Sequence, residues 1–211
     1  MTTSSHGSGL SDGDIALVDY FRAHQQVVID SGEALAPAAQ AAGRAIIESL
    51  TRGGKIICFG NGGSATQASH LAGELVGRFR RARRPFPAVS LASDGGTMTC
   101  IGNDFGYPDL FARQMEAFAK EGDVAIGLTT SGKSENVVRA LEVARKRGLV
   151  TIALTGAAGL TGGTADHLIA VPSEDTAHIQ EIHLMVLHAW CMAIDNVFVG
   201  ERASTPGKAI G

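Results

Sequence analysis

The stretch Lys55-Ile-Ile-Cys-Phe-Gly-Asn-Gly-Gly-Ser64 decides the fold. Its first half is a short continuous apolar run, the pattern of a strand buried on both faces. Its second half is a Gly-rich turn leading into a helix-length segment, Ala65 to Phe79. Similar apolar runs recur at Ala88 to Leu91, Val124 to Leu128, Val150 to Leu154 and His167 to Val171, with helical segments at Phe111 to Lys120 and Ser134 to Arg147. Strands alternating with helices predict an α/β domain with a parallel sheet covered on both faces. Upstream, Asp14 to Asp30 and Glu33 to Thr51 read as two helices, the second ended by Gly53-Gly54. Downstream, Thr176 to about Val199 is apolar around most of its circumference, as expected for a central helix or one at an oligomer interface.

Composition narrows the class. The chain has 211 residues, 45% hydrophobic and 18% charged, enough apolar material for one sizeable core. Its net charge of −3 disfavours a general nucleic-acid binder. Three widely spaced cysteines imply neither a disulfide framework nor a Cys-x-x-Cys metal site. The 27 glycines are nearly twice the average of about 7%, pointing to tight strand-to-helix turns. The ends, 1–13 and 200–211, are rich in small and polar residues and are expected to be flexible around a domain spanning 14–199. No signal-peptide core and no apolar run of about 18 residues is present, so no membrane partner is expected and a cytoplasmic location is the default.

The chemistry is expected where strands end, because open α/β sheets bind ligands at the carboxyl ends of their strands. Two ends are unusual: Gly60-Asn-Gly-Gly-Ser64 and Thr129-Thr-Ser-Gly-Lys-Ser134. Each offers backbone N–H groups at a helix N-terminus, which attract anions, and the second adds the hydroxyls of Thr129, Thr130, Ser131 and Ser134. The spacing is neither a P-loop nor a dinucleotide fingerprint. The plainer alternative makes these residues helix N-caps.

In the helix after the first loop, His70 and Glu74 project from one face, with Arg78 extending the stripe. They could share a divalent ion, act as base and partner, or be a solvated pair. In the last helix, Gln180 and His188 lie about 80° apart around the axis, able to line one side; a core histidine bonded to a carbonyl is the alternative. Arg78, Arg80, Arg81, Arg83 and Arg84 form a basic cluster, read as a solvated loop more readily than as a phosphate contact. Asn103-Asp104 precedes Phe105 and Tyr107 in a turn-like segment, equally open to a turn or a substrate role.

Six motifs stand in one family's order and spacing: Cys58-Phe-Gly-Asn-Gly-Gly-Ser64, His70-Leu-Ala-Gly-Glu-Leu-Val-Gly-Arg78, Gly102-Asn-Asp-Phe-Gly106, Thr130-Ser-Gly-Lys-Ser134, Leu154-Thr-Gly156 and Ile179-Gln-Glu-Ile-His183. From Asp14 to Val199 the chain thereby resembles the sugar isomerase (SIS) domain family, and within it the members that isomerise a phosphorylated seven-carbon sugar. The resemblance implies a single domain with a five-stranded parallel sheet flanked by helices, and a homotetramer with active sites at subunit contacts. It implies one Zn²⁺ per subunit, held by His70, Glu74, Gln180 and His188. It implies that Asn61, Gly62, Gly63, Ser64, Asn103, Asp104, Thr129, Thr130, Ser131, Ser134 and Gln180 contact the phosphosugar, with Arg78 within reach. Glu74 is then the base and His188 the acid of an aldose–ketose isomerisation. Lys133 departs from the Asn of many relatives and adds a cation beside the cradle. Two other functions fit the fold: a non-catalytic tetrameric scaffold binding the replication initiator, and an isomerase of another phosphosugar.

Overall fold

The computed structural model describes residues 16–200; the expected flexible ends, apart from the residues next to the domain, lie outside the described residues. Five parallel strands, β1 (Ile56–Gly60), β2 (Ala88–Ser90), β3 (Val124–Thr129), β4 (Val150–Thr155) and β5 (His167–Ala170), form one sheet in the order β2-β1-β3-β4-β5. Pairing is in steady register, from Ile56 opposite Val124 to Gly60 opposite Leu128 between β1 and β3. Both faces are buried. Ile56, Cys58, Val124, Ile126 and Leu128 point into a core shared with α1 (Leu17–Thr51), α2 (Gly63–Val76) and α6 (Thr176–Val197). Ile57, Phe59 and Ala125 point to the other core, built with α3 (Gly95–Asp104), α4 (Ala112–Phe118) and α5 (Glu135–Lys146). Period-2 alternation into two apolar layers is why the strands read as continuous apolar runs.

Two expectations change. The two upstream helices are one, α1, which runs through Gly32 and Pro37. Gly32 costs about 1 kcal/mol relative to Ala and Pro37 about 3, but burial of Leu35, Ile46 and Leu50 along the same face contributes about 1.5–3 kcal/mol for each side chain. The tertiary term wins. The segment read as turn-like at Asn103-Asp104 is the last turn of α3, capped at its start by Asp94, whose carboxylate accepts from Gly96 N at 2.9 Å. A run of Gly, Thr and Cys has no apolar period to announce such a helix.

The last helix is central, as expected. It buries Ile179, Ile182, Leu187, Trp190 and Ile194 in the core, and exposes Met185, Met192 and Val197. Asp175 caps it, accepting from Ala177 N and His178 N, and those amides hold the Asp175 carboxyl below the usual carboxylate range.

Candidate active site

Strand order reverses between β1 and β3, which places the crevice of a parallel sheet beyond Gly60 and Thr129. A cavity of about 90 Å³ lies there, lined by Asn61, Ser64, Leu128, Thr129, Thr130, Ser131, Ser134 and Gln180. The two loops singled out from the sequence therefore form one cradle. Ser134 occupies the N-cap position of α5 but makes no side-chain cap; its Oγ lies 2.9 Å from Thr129 Oγ1. The N-cap of α2 is Gly62, which has no side chain to offer. Both helices thus begin at the cavity wall, with the Gly63 amide opening α2 and those of Glu135 and Asn136 opening α5, while Ser64, Ala65 and Val137 already donate to backbone carbonyls. Capping does not explain this arrangement.

Asn61 is held by groups the sequence did not mark. Its amide pairs reciprocally with that of the buried Asn136 at 2.9 Å each way, and its Oδ1 also accepts from Tyr107 Oη at 2.8 Å. With Oδ1 so occupied, Asn61 has one Nδ2–H left to donate to a ligand. Asn136 follows the Ser134 turn directly, but nothing in a single helical Asn announces a partner 75 positions away. Gln180 joins the cradle from α6. Its side-chain amide packs on Gly63, where a Cβ would come within 2.6 Å of Nε2, and its backbone carbonyl accepts from Gln67 Nε2 at 2.7 Å.

Further along α2, three expected residues converge. His70 Nε2 and His188 Nε2 are 2.9 Å apart, and His70 Nε2 lies 3.6 Å from Glu74 Oε1. The pair is not isolated: α6 brings His188 across the fold onto the half-exposed His70, and Phe79 stacks on the His188 ring at 5.3 Å. Two ring nitrogens that close cannot both present lone pairs; a proton or a cation must lie between them. Two imidazoles and a carboxylate form a donor set that can hold a divalent ion. The core-histidine alternative describes a different residue: the ring of His183 is fully buried with Nε2 3.1 Å from Thr155 O, and burial lowers its pKa to about 4.

Some expected residues stand apart. Gln180 sits two turns before His188, about 12 Å along the axis, and its amide belongs to the cradle. Asn103 and Asp104 are exposed and bonded to each other, with Cys100 as the further partner of Asp104; among the described residues neither bonds to the cradle. Arg78 does not extend the stripe, because α2 ends at Val76 and Arg78 is exposed beyond it. Lys133 lines an adjoining cavity of about 200 Å³ that shares Thr130 and Ser131 with the cradle.

The basic cluster is only partly a solvated loop. Arg83 is buried, donates to the carbonyls of Glu74 and Leu75 at 2.6 and 2.9 Å, and pairs with Asp195 at 3.1 Å. Asp195 also accepts from the backbone of Arg80 and Arg81. One buried ion pair therefore closes the end of α2 that carries Glu74 and ties it to the helix that carries His188. The guanidinium of Arg84 stacks on Phe86 and Phe198.

The sequence and the doubly covered parallel sheet match known proteins. Residues 19–156 match the model of the SIS domain, and the chain belongs to that family. Among its relatives, a phosphoheptose isomerase of Thiobacillus denitrificans is 43% identical over 190 residues, covering 87% of this chain and 95% of the relative. Another phosphoheptose isomerase, from a Nitratiruptor strain, is 51% identical over 153 residues, covering 72% and 82%. Among solved structures, a phosphoheptose isomerase from Francisella tularensis superposes with a TM-score of 0.80 at 37% identity, covering 85% of this chain and 96% of that one.

Proposed function

We propose that the protein is an aldose–ketose isomerase converting D-sedoheptulose 7-phosphate to D-glycero-D-manno-heptose 7-phosphate, the first step of nucleotide-activated heptose biosynthesis. The observation that carries this reading is the two-ended site. An anion cradle lies at Gly63, and His70 lies on the same helix, seven residues and so about 10 Å farther along, where it meets Glu74 of α2 and His188 of α6. That is the span of an extended seven-carbon chain with a terminal phosphate. Relatives named phosphoheptose isomerase, matched over nearly their whole length, support the same substrate.

The cradle fixes the phosphate through the hydroxyls of Thr129, Thr130, Ser131 and Ser134, the amides that open α2 and α5, and the Asn61 and Gln180 side chains. The far end of the sugar then reaches the His/Glu group. Glu74 removes the proton from C1 of the ketose and delivers it to C2. His188 gives a proton to O2 and takes one from O1, which balances the enediolate step. Asn103, Asp104 and Arg78 are proposed to complete the substrate contacts from a neighbouring subunit, in keeping with their exposure and lack of bonds to the cradle. A homotetramer is proposed, and the apolar side chains exposed on α1 and α6, Val18, Phe21, Ile29 and Met185 among them, support buried contacts between copies. No helix among the described residues is long and apolar enough to cross a membrane, and a cytoplasmic location is proposed.

The residues fit one Zn²⁺ per subunit: His70, Glu74 and His188 would hold it, and a fourth ligand from Gln180 would need its amide to leave Gly63. When bound, the ion supplies positive charge for the developing enediolate oxygens. A carboxylate near such an ion is a weaker base, so the ligand and base roles of Glu74 compete. The test is purified protein with sedoheptulose 7-phosphate in D₂O, followed by NMR. Wild type should form the manno-heptose phosphate and incorporate deuterium. Glu74→Gln should lose both by about 10³-fold or more while keeping wild-type assembly. Deuterium exchange at the wild-type rate in Glu74→Gln would remove Glu74 as the base, and no conversion of the heptose by wild type would remove the substrate.

A further inference from the structure

A second polar cluster joins the start of α1 to the start of α6, away from the His70 group. His24 Nδ1 lies 3.0 Å and His178 Nδ1 3.2 Å from the same carboxylate oxygen, Glu181 Oε2. The two imidazoles stack at 5.2 Å. The other carboxylate oxygen, Oε1, accepts from Tyr20 Oη at 2.6 Å. His178 is buried, and the three donor atoms lie within 4.8 Å of one another. His24 Nδ1 is shielded from solvent yet makes no hydrogen bond, because it is close to the carboxylate without being aligned to it. Two ring nitrogens therefore converge on one carboxylate oxygen, and the His24 nitrogen meets it without a hydrogen bond.

We propose that His24, His178 and Glu181 bind a second divalent cation, which clamps α1 to α6. Bonds of about 2.0–2.2 Å at tetrahedral angles put neighbouring donors about 3.3 Å apart, close to the 3.0 and 3.2 Å that separate each ring nitrogen from the carboxylate oxygen. A donor set of two imidazoles and one carboxylate suits a borderline ion such as Zn²⁺, Co²⁺ or Ni²⁺ more than Mg²⁺ or Ca²⁺. Tyr20 orients the carboxylate from behind, the usual task of an outer-sphere partner. The site does not rest on the proposed isomerase reaction. Glu181 follows Gln180 directly, so a cation here would also steady the turn of α6 that reaches the cradle.

The experiment uses chelator-stripped full-length protein, Zn²⁺ alone as probe, and metal analysis after equilibrium dialysis, with thermal unfolding alongside. Wild type should hold two ions per chain, His24→Ala one, His70→Ala one and the double variant none. Saturating Zn²⁺, at about 100-fold over Kd, should raise Tm by about 5–10 °C in His70→Ala, where only the proposed cluster is left. His178→Gln, checked for native circular dichroism, should repeat the His24→Ala result. One ion per chain, lost in His24→Ala and kept in His70→Ala, supports the cluster and counts against the ion at the active site. A Zn²⁺ content in folded His24→Ala and His178→Gln equal to wild type overturns the proposal, as does an ion-free His70→Ala.

Discussion

Replacing His183 by Gln should flatten the acid limb of the protein's stability curve. The ring is buried under α6, with Nε2 donating to Thr155 O at 3.1 Å and Nδ1 left with no partner. That environment suits the neutral ring; a proton on Nδ1 would be a buried donor with nothing to accept it. Burial therefore lowers the pKa to about 4 from an ordinary 6.5. Between those values the unfolded chain takes up a proton that the folded protein refuses, so stability falls as pH falls across that window and is flat above it. At 1.36 kcal/mol per pH unit the loss approaches about 3 kcal/mol by pH 4. Asp94, Asp166, Asp175 and Glu181 are held below the usual carboxylate range, and they withdraw their stabilisation at the lower end, as pH falls through their own range. The difference between wild type and His183→Gln isolates the histidine, since Gln can donate to Thr155 O and does not titrate. Urea unfolding from pH 7.5 to 4.5, at fixed protein concentration and read by the single Trp190, measures it. The variant should lose about 2–3 kcal/mol less than wild type over that interval. Parallel curves for the two proteins would refute a buried neutral His183.

Asp195→Asn leaves Arg83 buried without its counter-charge and should cost about 3–5 kcal/mol in urea unfolding. Because the pair seats the helix ends behind Glu74 and His188, kcat should fall more than KM rises; wild-type stability and kcat would refute that role. Tyr107→Phe removes the hydroxyl that holds Asn61 Oδ1, a bond worth about 1 kcal/mol. KM for the phosphosugar should rise about five-fold with stability near wild type, and an unchanged KM would show that Asn136 alone positions Asn61. Gly132→Ala adds a Cβ at φ +67° that would overlap the Gly159 carbonyl, so the Thr129–Ser134 loop must move. Phosphate-ester binding by calorimetry should drop by at least ten-fold, and full affinity would mean that the loop is not the cradle.

Periodicity and turn chemistry made much of this protein legible in its sequence. The five apolar runs, the Gly-rich ends of β1 and β3, and the helices between them follow from local rules, because alternation and glycine turns are properties of neighbouring residues. The His70–Glu74 spacing did too, since four residues on a helix share a face. What stayed hidden depended on elements far apart in the chain. The length of α1 was set by its buried face against the rest of the fold, and α3 by a cap without an apolar period. The bond from Tyr107 to Asn61, the reciprocal pair of Asn61 and Asn136, and the Arg83–Asp195 closure span 46, 75 and 112 positions. Spacing also left open which histidine of α6 would be structural. Only the packing of α6 over the sheet sends His183 to the Thr155 carbonyl, His188 to His70, and His178 to Glu181 and His24, because each turn of that helix meets a different neighbour.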